Sequence, residues 1–355
     1  MDLLSLIMVI IHNRKEELDM RQQSNKLWAT VALVMVFVLL SACGKSNSSP
    51  LASESASPSQ TAVESPSGAS EEASTRVYKD STGREVTIPT HPQRVITSQY
   101  LPQMLAAGLK PIGAATHLLN NFTAVKDQLT GIEDVGQANE MNLEKALTLN
   151  PDLIIATEWN EDKLDQLSKI APTVIVKWEG KDPFQHFTDV ADILGRSDEA
   201  QQWIQAYDKK GEEARAKLKD YVKEGETFGV VVIGGYEKGQ LRVYGTGNVG
   251  YTLFQTLQFP MTDFVKTEWN KGDNNQGLAI SLEKLPEYAS ADRLFVVKFD
   301  NDPEFLKQVE DSRLWSDLPA VKNNKVYVVD ASLWFSYDIM SFEAQLNDAV
   351  RMLAK

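Results

Sequence analysis

The run from Asp198 to Lys223, "DEAQQWIQAYDKKGEEARAKLKDYVK", constrains this 355-residue chain more than any other stretch. Ala200, Trp203, Ile204, Tyr207, Ala214, Leu218, Tyr221 and Val222 recur at three- and four-residue steps, with charged side chains on the remaining faces. That period belongs to an amphipathic helix. Asp198 with Gln201 three residues on predicts a capping box at its start. A fully helical run would be roughly 39 Å long at about 1.5 Å per residue, the span of a small domain. Gly211 is its weakest position, because glycine costs about 1 kcal/mol in a helix interior. Strand and helix patterns alternate on both sides of it, so the helix reads as a strut joining two lobes.

The N-terminal segment sets an address. Met20 is followed by basic Arg21 and Lys26, an apolar run from Leu27 to Leu40 and a small-residue end. This is the plan of a secretory signal peptide, with translation expected to start at Met20. A permanent membrane anchor is the competing reading, but the run has about 14 residues against the roughly 20 needed to span comfortably. Leu40-Ser41-Ala42-Cys43 resembles the lipobox of bacterial lipoproteins. The resemblance implies cleavage before Cys43 and diacylation of its thiol, and two acyl chains suffice for stable anchoring. Cys43 is the single cysteine, so no disulfide forms within the chain. Residues 44–75, rich in Ser, Ala, Pro, Gly and Glu, have little to bury and read as a flexible tether. The expected organisation is a leader and signal peptide over 1–42, the lipidated cysteine and tether over 43–75, a first lobe over 76–196, the linking helix over 197–224 and a second lobe over 225–355.

In the first lobe, "RVYKDSTGREVTIP" (76–89) predicts a hairpin around Thr82-Gly83. Strands are expected at 94–99, 152–157 and 172–178, and helices at 101–108, 142–150, 161–170 and 184–195. The segment through His117 and Asn120-Asn121 reads as a polar loop. In the second lobe, strands are expected at 227–235, 240–245, 292–299 and 325–330, and helices at 248–259, 279–288, 303–318 and 341–355. Strands separated by helical segments of this length predict βα units and a parallel sheet in each lobe. Ligands of open α/β sheets sit at the carboxyl ends of strands, so the cleft between two such lobes is the expected site.

The candidate ligand-binding residues follow those strand ends: Tyr100, His117, Trp159, Trp178, Arg242, Tyr244, Trp269, Trp334 and Tyr337, with Phe335 beside the last two. Four tryptophans at loop positions suit an aromatic wall, and Arg242 suits a carboxylate or oxyanion. His91, His117 and His186 show no metal-ligand spacing, so no protein-built metal site or cofactor is expected. "YGTGNVG" (244–250) lacks the lysine and serine of a phosphate loop and reads as a turn. An excess of 49 acidic over 36 basic residues argues against nucleic acid as a partner.

"GREVTIPTHPQRVI" (83–96), "MNLEKALTLNPDLIIATEW" (141–159), the long helix, "ISLEKL" (280–285), "LWSDLPAVKNNKVYVVD" (314–330) and the terminal helix together resemble the periplasmic-binding-protein family for iron siderophores and cobalamin. The resemblance spans residues 76–355. It implies a class III periplasmic binding protein, with two Rossmann-like α/β lobes joined by one long rigid helix. It also implies a non-enzymatic monomer, tethered outside the membrane through Cys43, that hands a ferric siderophore to an ABC permease dimer. Each lobe of such proteins presents a glutamate to permease arginines, and by motif these fall on Glu144 and Glu283.

Relatives that take triscatecholates place Lys and Arg in the cleft, whereas "THLLNNF" and "TEWNEDK" are neutral or aromatic at the corresponding places. A hydroxamate complex, neutral or weakly charged, fits better. Ferric catecholate, ferric citrate, haem and cobalamin are the alternative ligands. A metallocofactor-related enzyme on a two-lobed scaffold is the alternative of another class, and it would need a cysteine cluster or a dedicated histidine.

Overall fold

The computed structural model describes residues 74–272 and 276–355. The Met20 start, the signal peptide, Cys43 and nearly all of the tether lie outside the described residues. The first hairpin pairs β1 (Thr75–Lys79) with β2 (Glu85–Pro89) in antiparallel register, as expected. Its turn is built by Asp80, whose carboxylate accepts from the Thr82 and Arg84 amides at 3.0 Å each.

The first-half sheet follows, from β3 (Val95–Thr97), β4 (Gly113–Ala114), β5 (Glu133–Asp134), β8 (Leu153–Ala156) and β9 (Thr173–Ile175). Its order is β5-β4-β3-β8-β9, and every pairing is parallel. A small ribbon, β6 (Gly136–Gln137) with β7 (Glu140–Met141), stands beside it. Helices Leu101–Ala106, Leu143–Thr148 and Pro183–Ile193 fall where the periodicity places them. The stretch expected as a polar loop is instead a helix, Thr116–Asn121, continued by a 3-10 turn, Thr123–Gln128. Leu118 explains the difference: it is fully buried with Leu101, Ala114 and Ile132, and Leu119 packs beside them.

The second-half sheet comprises β10 (Phe228–Ile233), β11 (Leu241–Tyr244), β12 (Leu278–Ile280), β13 (Arg293–Lys298) and β14 (Val326–Val329), in the order β12-β11-β10-β13-β14. Here the expectation of a parallel sheet holds only in part. β10, β13 and β14 are parallel, but β11 and β12 run antiparallel. Gly234 and Gly235, both with φ near +80° (79° and 78°), double the chain back after β10. A Cβ on Gly235 would stand 2.5 Å from the Phe299 ring, so the turn needs glycine for space as well as conformation. Residues 248–259 are not an α-helix either. They form a 3-10 turn, Asn248–Gly250, and a π-helical turn, Thr252–Thr256. Two hydroxyls there are drawn to other elements, Thr252 Oγ1 to Gln345 Oε1 at 2.7 Å and Thr256 Oγ1 to the Tyr207 hydroxyl at 2.6 Å.

The linking helix runs Ser197–Leu218, 22 residues and about 33 Å at 1.5 Å each. It starts one residue early, with Arg196 at the cap and no side-chain cap bond, so the expected capping box does not form. Asp198 and Glu199 sit in the first turn instead, where carboxylates complement the helix dipole. Gly211 is buried against the π-helical turn, and a Cβ there would lie 3.1 Å from Thr256 Cγ2. The glycine that weakens the helix locally thus lets it approach the second lobe closely.

An aromatic seam joins the halves. Phe184, from helix Pro183–Ile193, stands 5.4 Å from Tyr207 on the linking helix and 5.9 Å and 6.3 Å from Tyr251 and Phe342 of the second lobe. The C-terminal helix, Ile339–Leu353, buries Ile339 in the first-half core and Phe342, Leu346 and Ala349 in the second. This is a two-lobed α/β fold with one long helix between the lobes.

Candidate ligand cleft

A cavity of about 530 Å³ opens between the lobes. From the first lobe come Gln99, Asn120, Asn121, Phe122 and Trp178. From the second come Phe299, Ala331, Ser332, Phe335, Ser336 and Tyr337. Gln99, Trp178, Phe299 and the 331–337 segment each follow the carboxyl end of β3, β9, β13 and β14, where a βα architecture leaves backbone free to vary.

Trp178 is the most firmly held part of the wall. The Glu158 carboxylate accepts from its backbone amide at 2.8 Å and from the Glu179 amide at 3.1 Å. Its ring stacks on His186 with centroids 4.6 Å apart and planes 11° from parallel. His186 Nε2–H donates to the Trp178 carbonyl at 3.1 Å, and burial holds the imidazole below its usual pKa, hence neutral. Tyr100 lies behind, 6.1 Å from Trp178, fully buried, its hydroxyl donating to the Val176 carbonyl at 2.7 Å. Trp159, 40% exposed, tilts against the outer side of Trp178 at 6.3 Å. Thr157 and Asn160 form the capping box that fixes its turn. His117 sits one layer back, Nε2 at 2.9 Å from Gln99 Oε1, and burial lowers its pKa.

The opposite wall is made of rings. Phe335 meets Phe299 edge-on at 5.1 Å and Tyr236 edge-on at 5.8 Å. The Arg242 guanidinium lies 3.7 Å above the Tyr236 ring and donates through Nη1 to the Gln276 carbonyl at 2.7 Å. Arg242 is therefore one ring removed from the cavity. Tyr337 lines the cavity and packs edge-on against Phe342 at 5.5 Å.

Of the residues expected at the cleft, Trp178 and Tyr337 line it, while Trp159, His117 and Arg242 border or back it. Tyr100, Tyr244, Trp269 and Trp334 belong to the core instead. Tyr244 is fully buried, donates to the Gln276 carbonyl at 3.0 Å, and has its pKa raised by burial. Trp269 stands behind it at 6.4 Å, with Nε1 donating to Thr246 Oγ1 at 3.0 Å. Trp334 Nε1 donates to Asp348 Oδ2 at 2.9 Å inside the second-half core. Both indoles are buried with their N–H groups satisfied internally, which makes them core rather than wall. Gln99, Phe122, Phe299 and Ser332 also line the cavity and Tyr236 backs it, none of them among the expected residues. Their signal was position, since Gln99, Phe299 and Tyr236 closely follow strand ends, and a search for tryptophan and arginine passes over them. No group of three or more His, Cys, Asp or Glu among the described residues is arranged to hold a metal.

Glu144 and Glu283 are exposed in the first turns of matching segments, Asn142-Leu143-Glu144-Lys145 and Ser281-Leu282-Glu283-Lys284. Asn142 caps its helix by accepting from the Lys145 amide at 2.9 Å. In both segments the lysine is drawn elsewhere, Lys145 to Glu133 at 2.6 Å and Lys284 to Glu287 at 3.1 Å. Neither glutamate makes an ion pair among the described residues. A hydrogen bond from Ser281 lowers the pKa of Glu283.

Residues 95–333 match the family model described as periplasmic binding protein. The chain belongs to that family. The iron(3+)-hydroxamate-binding protein YxeB of Bacillus subtilis is 30% identical over 329 residues, 91% of this chain and 95% of its own. The Fe(3+)-citrate-binding protein YfmC of the same species is 28% identical, over 94% of this chain and 98% of its own. Among solved structures, a FhuD-fold periplasmic binding protein component of a Fep/Fec-like ferrichrome ABC transporter from Bacillus subtilis superposes with a TM-score of 0.67 at 31% identity, covering 78% of this chain and all of the other. This binding protein is thus a substrate-binding component of iron–siderophore ABC transport, lipid-anchored on the extracytoplasmic face, and not an enzyme. Its partner class is the ABC permease.

Proposed function

We propose that the binding protein captures a ferric hydroxamate siderophore in the inter-lobe cleft. One observation supports this reading: among the described residues, none that lines the cavity has a charged side chain. They are aromatic rings, carboxamides and hydroxyls. A ferric triscatecholate with about three negative charges would lose its hydration there without compensating cations, a strongly unfavourable exchange. A neutral hydroxamate complex presents an apolar envelope to Trp178, Phe122, Phe299 and Phe335, and carbonyl oxygens to Gln99, Asn120 and Asn121. With Gln99 Oε1 engaged by His117, the Gln99 amide nitrogen is left to donate to such an oxygen. Arg242, backed by Tyr236, would supply at most one charge contact at the margin. Similarity to YxeB supports this reading, and similarity to YfmC makes ferric citrate the second candidate. Ferric citrate is also anionic, and the same absence of lining cations disfavours it.

The remaining expectations belong to the same proposal. Cys43 is the lipidation site, the lobes divide at the linking helix, and Glu144 and Glu283 dock on the two halves of the permease. Tryptophan fluorescence titrated with ferrichrome, ferric triscatecholate, ferric citrate, haem and cobalamin tests the ligand class. Saturable quenching by ferrichrome at sub-micromolar concentration, weakened by Trp178→Ala, is expected. Preference for the triscatecholate or for citrate would overturn the hydroxamate assignment.

A further inference from the structure

Six large apolar side chains are exposed among the described residues: Val77, Leu147, Trp159, Tyr221, Phe264 and Val328. Trp159 belongs to the cleft rim. Scattered exposure of this kind is ordinary on a protein surface and means nothing alone. Two of the others, however, accompany the two carboxylates that make no ion pair among the described residues. Leu147, 61% exposed, lies three residues after Glu144 on the same short helix, hence on the same face. Phe264, 39% exposed, meets the Tyr288 ring edge-on at 4.9 Å, and Tyr288 ends the short helix entered through Glu283. The helix Asp263–Trp269 that carries Phe264 packs against Leu285–Tyr288. These two places are topologically alike, since each helix leads directly into the strand next to the sheet edge, β8 or β13.

We infer that the permease-docking surface is an apolar anchor beside a carboxylate on each lobe, Leu147 with Glu144 and Phe264–Tyr288 with Glu283. This rests on the docking role proposed for the two glutamates. Its occupant is the permease, and the fitting partner surface is a cation next to an apolar side chain on each half. Charge complementarity favours that occupant: among the described residues neither carboxylate has a cation partner, and its neighbouring lysine is tied to Glu133 or Glu287. An exposed carboxylate pair alone contributes little in water, about 0–1 kcal/mol. An adjacent apolar contact excludes water from the pair and strengthens both, as at the centres of protein interfaces. The anchors are also unequal, a single aliphatic chain on one lobe and a pair of rings on the other.

The test uses the full-length lipoprotein in cells that carry its transporter, with a benzophenone amino acid placed singly at 145, 147, 264, 284, 77 or 328. Photo-adducts with the transporter's membrane subunit, identified by mass spectrometry, are expected at 147 and 264 as well as at 145 and 284. They should disappear in a Glu144→Lys, Glu283→Lys background. Val77 and Val328, 63% and 54% exposed but away from the glutamates in sequence, should give none. Adducts at 145 and 284 without any at 147 and 264 would overturn the anchor and keep the docking glutamates. Absence at all four would overturn the docking reading itself, and adducts of equal yield at 77 and 328 would deny any specific footprint. As a second readout, Leu147→Ser with Phe264→Ser should lower uptake of iron-55 ferrichrome about tenfold with unchanged affinity in the cleft, while Leu147→Met with Phe264→Leu retains it. Unchanged uptake in the serine variant would likewise overturn the anchor.

Discussion

The two walls of the cleft face one cavity and are held in different ways. In the first lobe, Trp178 is clamped by polar groups: the Glu158 carboxylate on its amide and a neutral His186 beneath its ring. In the second, Phe335, Phe299 and Tyr236 support one another edge-on, with Arg242 capping the far side. A hydrogen-bonded clamp fixes one position sharply, whereas a ring cluster tolerates small displacements because dispersion is only weakly directional. The first wall therefore acts as the fixed template and the second as the surface that adapts. A parallel contrast occurs at the far ends of the sheets. The β9 edge is covered by the hairpin turn, where the Ser81 amide donates to the Ile175 carbonyl at 3.0 Å and Asp80 is bridged by Arg84 at 2.5 Å. Beneath the second sheet, Glu226 is buried between Arg293, at 2.9 Å, and Lys325.

The largest effect expected from breaking this comparison is on stability. Arg293→Ala leaves Glu226 buried without its main partner and should cost about 3–5 kcal/mol in urea unfolding. Asp80→Ala removes the acceptor of several hydrogen bonds at the other end and should cost less, about 2 kcal/mol. Equal losses would mean that the hairpin is as integral as the ionic core.

The next effect is on binding. Trp178→Ala should weaken ferrichrome about tenfold or more, and Phe335→Ala only about threefold, because neighbouring rings can close over the gap. Glu158→Gln probes the clamp itself. It keeps one acceptor oxygen but replaces the other with a donor facing an N–H, so affinity should fall severalfold while Tyr236→Phe leaves it nearly unchanged. Titration calorimetry reads all four variants, and the reverse ranking would exchange the roles of the walls.

The smallest effect is on pH dependence. Burial alone would raise Glu226, but hydrogen bonds from Arg293 and Lys325, with the charge of Arg293, outweigh it and depress the carboxyl to about 2. Its contribution is fully present above the ordinary value of 4.5 and is lost as pH falls through about 2. Asp338, fully buried at the cap of the C-terminal helix beside Tyr337, is raised by burial to about 6. Its contribution has the opposite sign: present below the ordinary 3.8, it is lost as pH rises through about 6. Asp338→Asn should flatten the stability profile between those values, and an unchanged slope would show that Asp338 does not titrate there.

Much of this architecture was legible in the chain because strand and helix periods are local signals. The linking helix, the hairpin at Thr82-Gly83 and the parallel core strands could all be read that way. The antiparallel return of β11 could not, since it depends on Gly234 and Gly235 meeting Phe299 and Asn301, which lie some 65 residues further on. The π-helical turn was equally hidden, because its hydroxyls bond to Gln345 and Tyr207 across the fold. At the cleft, tryptophans after strand ends were a fair signal for Trp178 and Trp159. The same pattern misplaced Trp334, whose partner Asp348 lies one helix away and makes the indole a core residue. Residue type alone does not separate a ring that meets a ligand from one that meets its own helix.

In the proposed function the cleft selects its ligand by shape and neutral contacts. Measuring ferrichrome affinity against ionic strength, from low salt to 1 M, tests it most directly. A neutral complex in an uncharged cleft should bind with nearly constant affinity, because salt screens only charge–charge attraction. A steep fall in affinity with added salt would instead place a charged ligand, with cations to match, at the site.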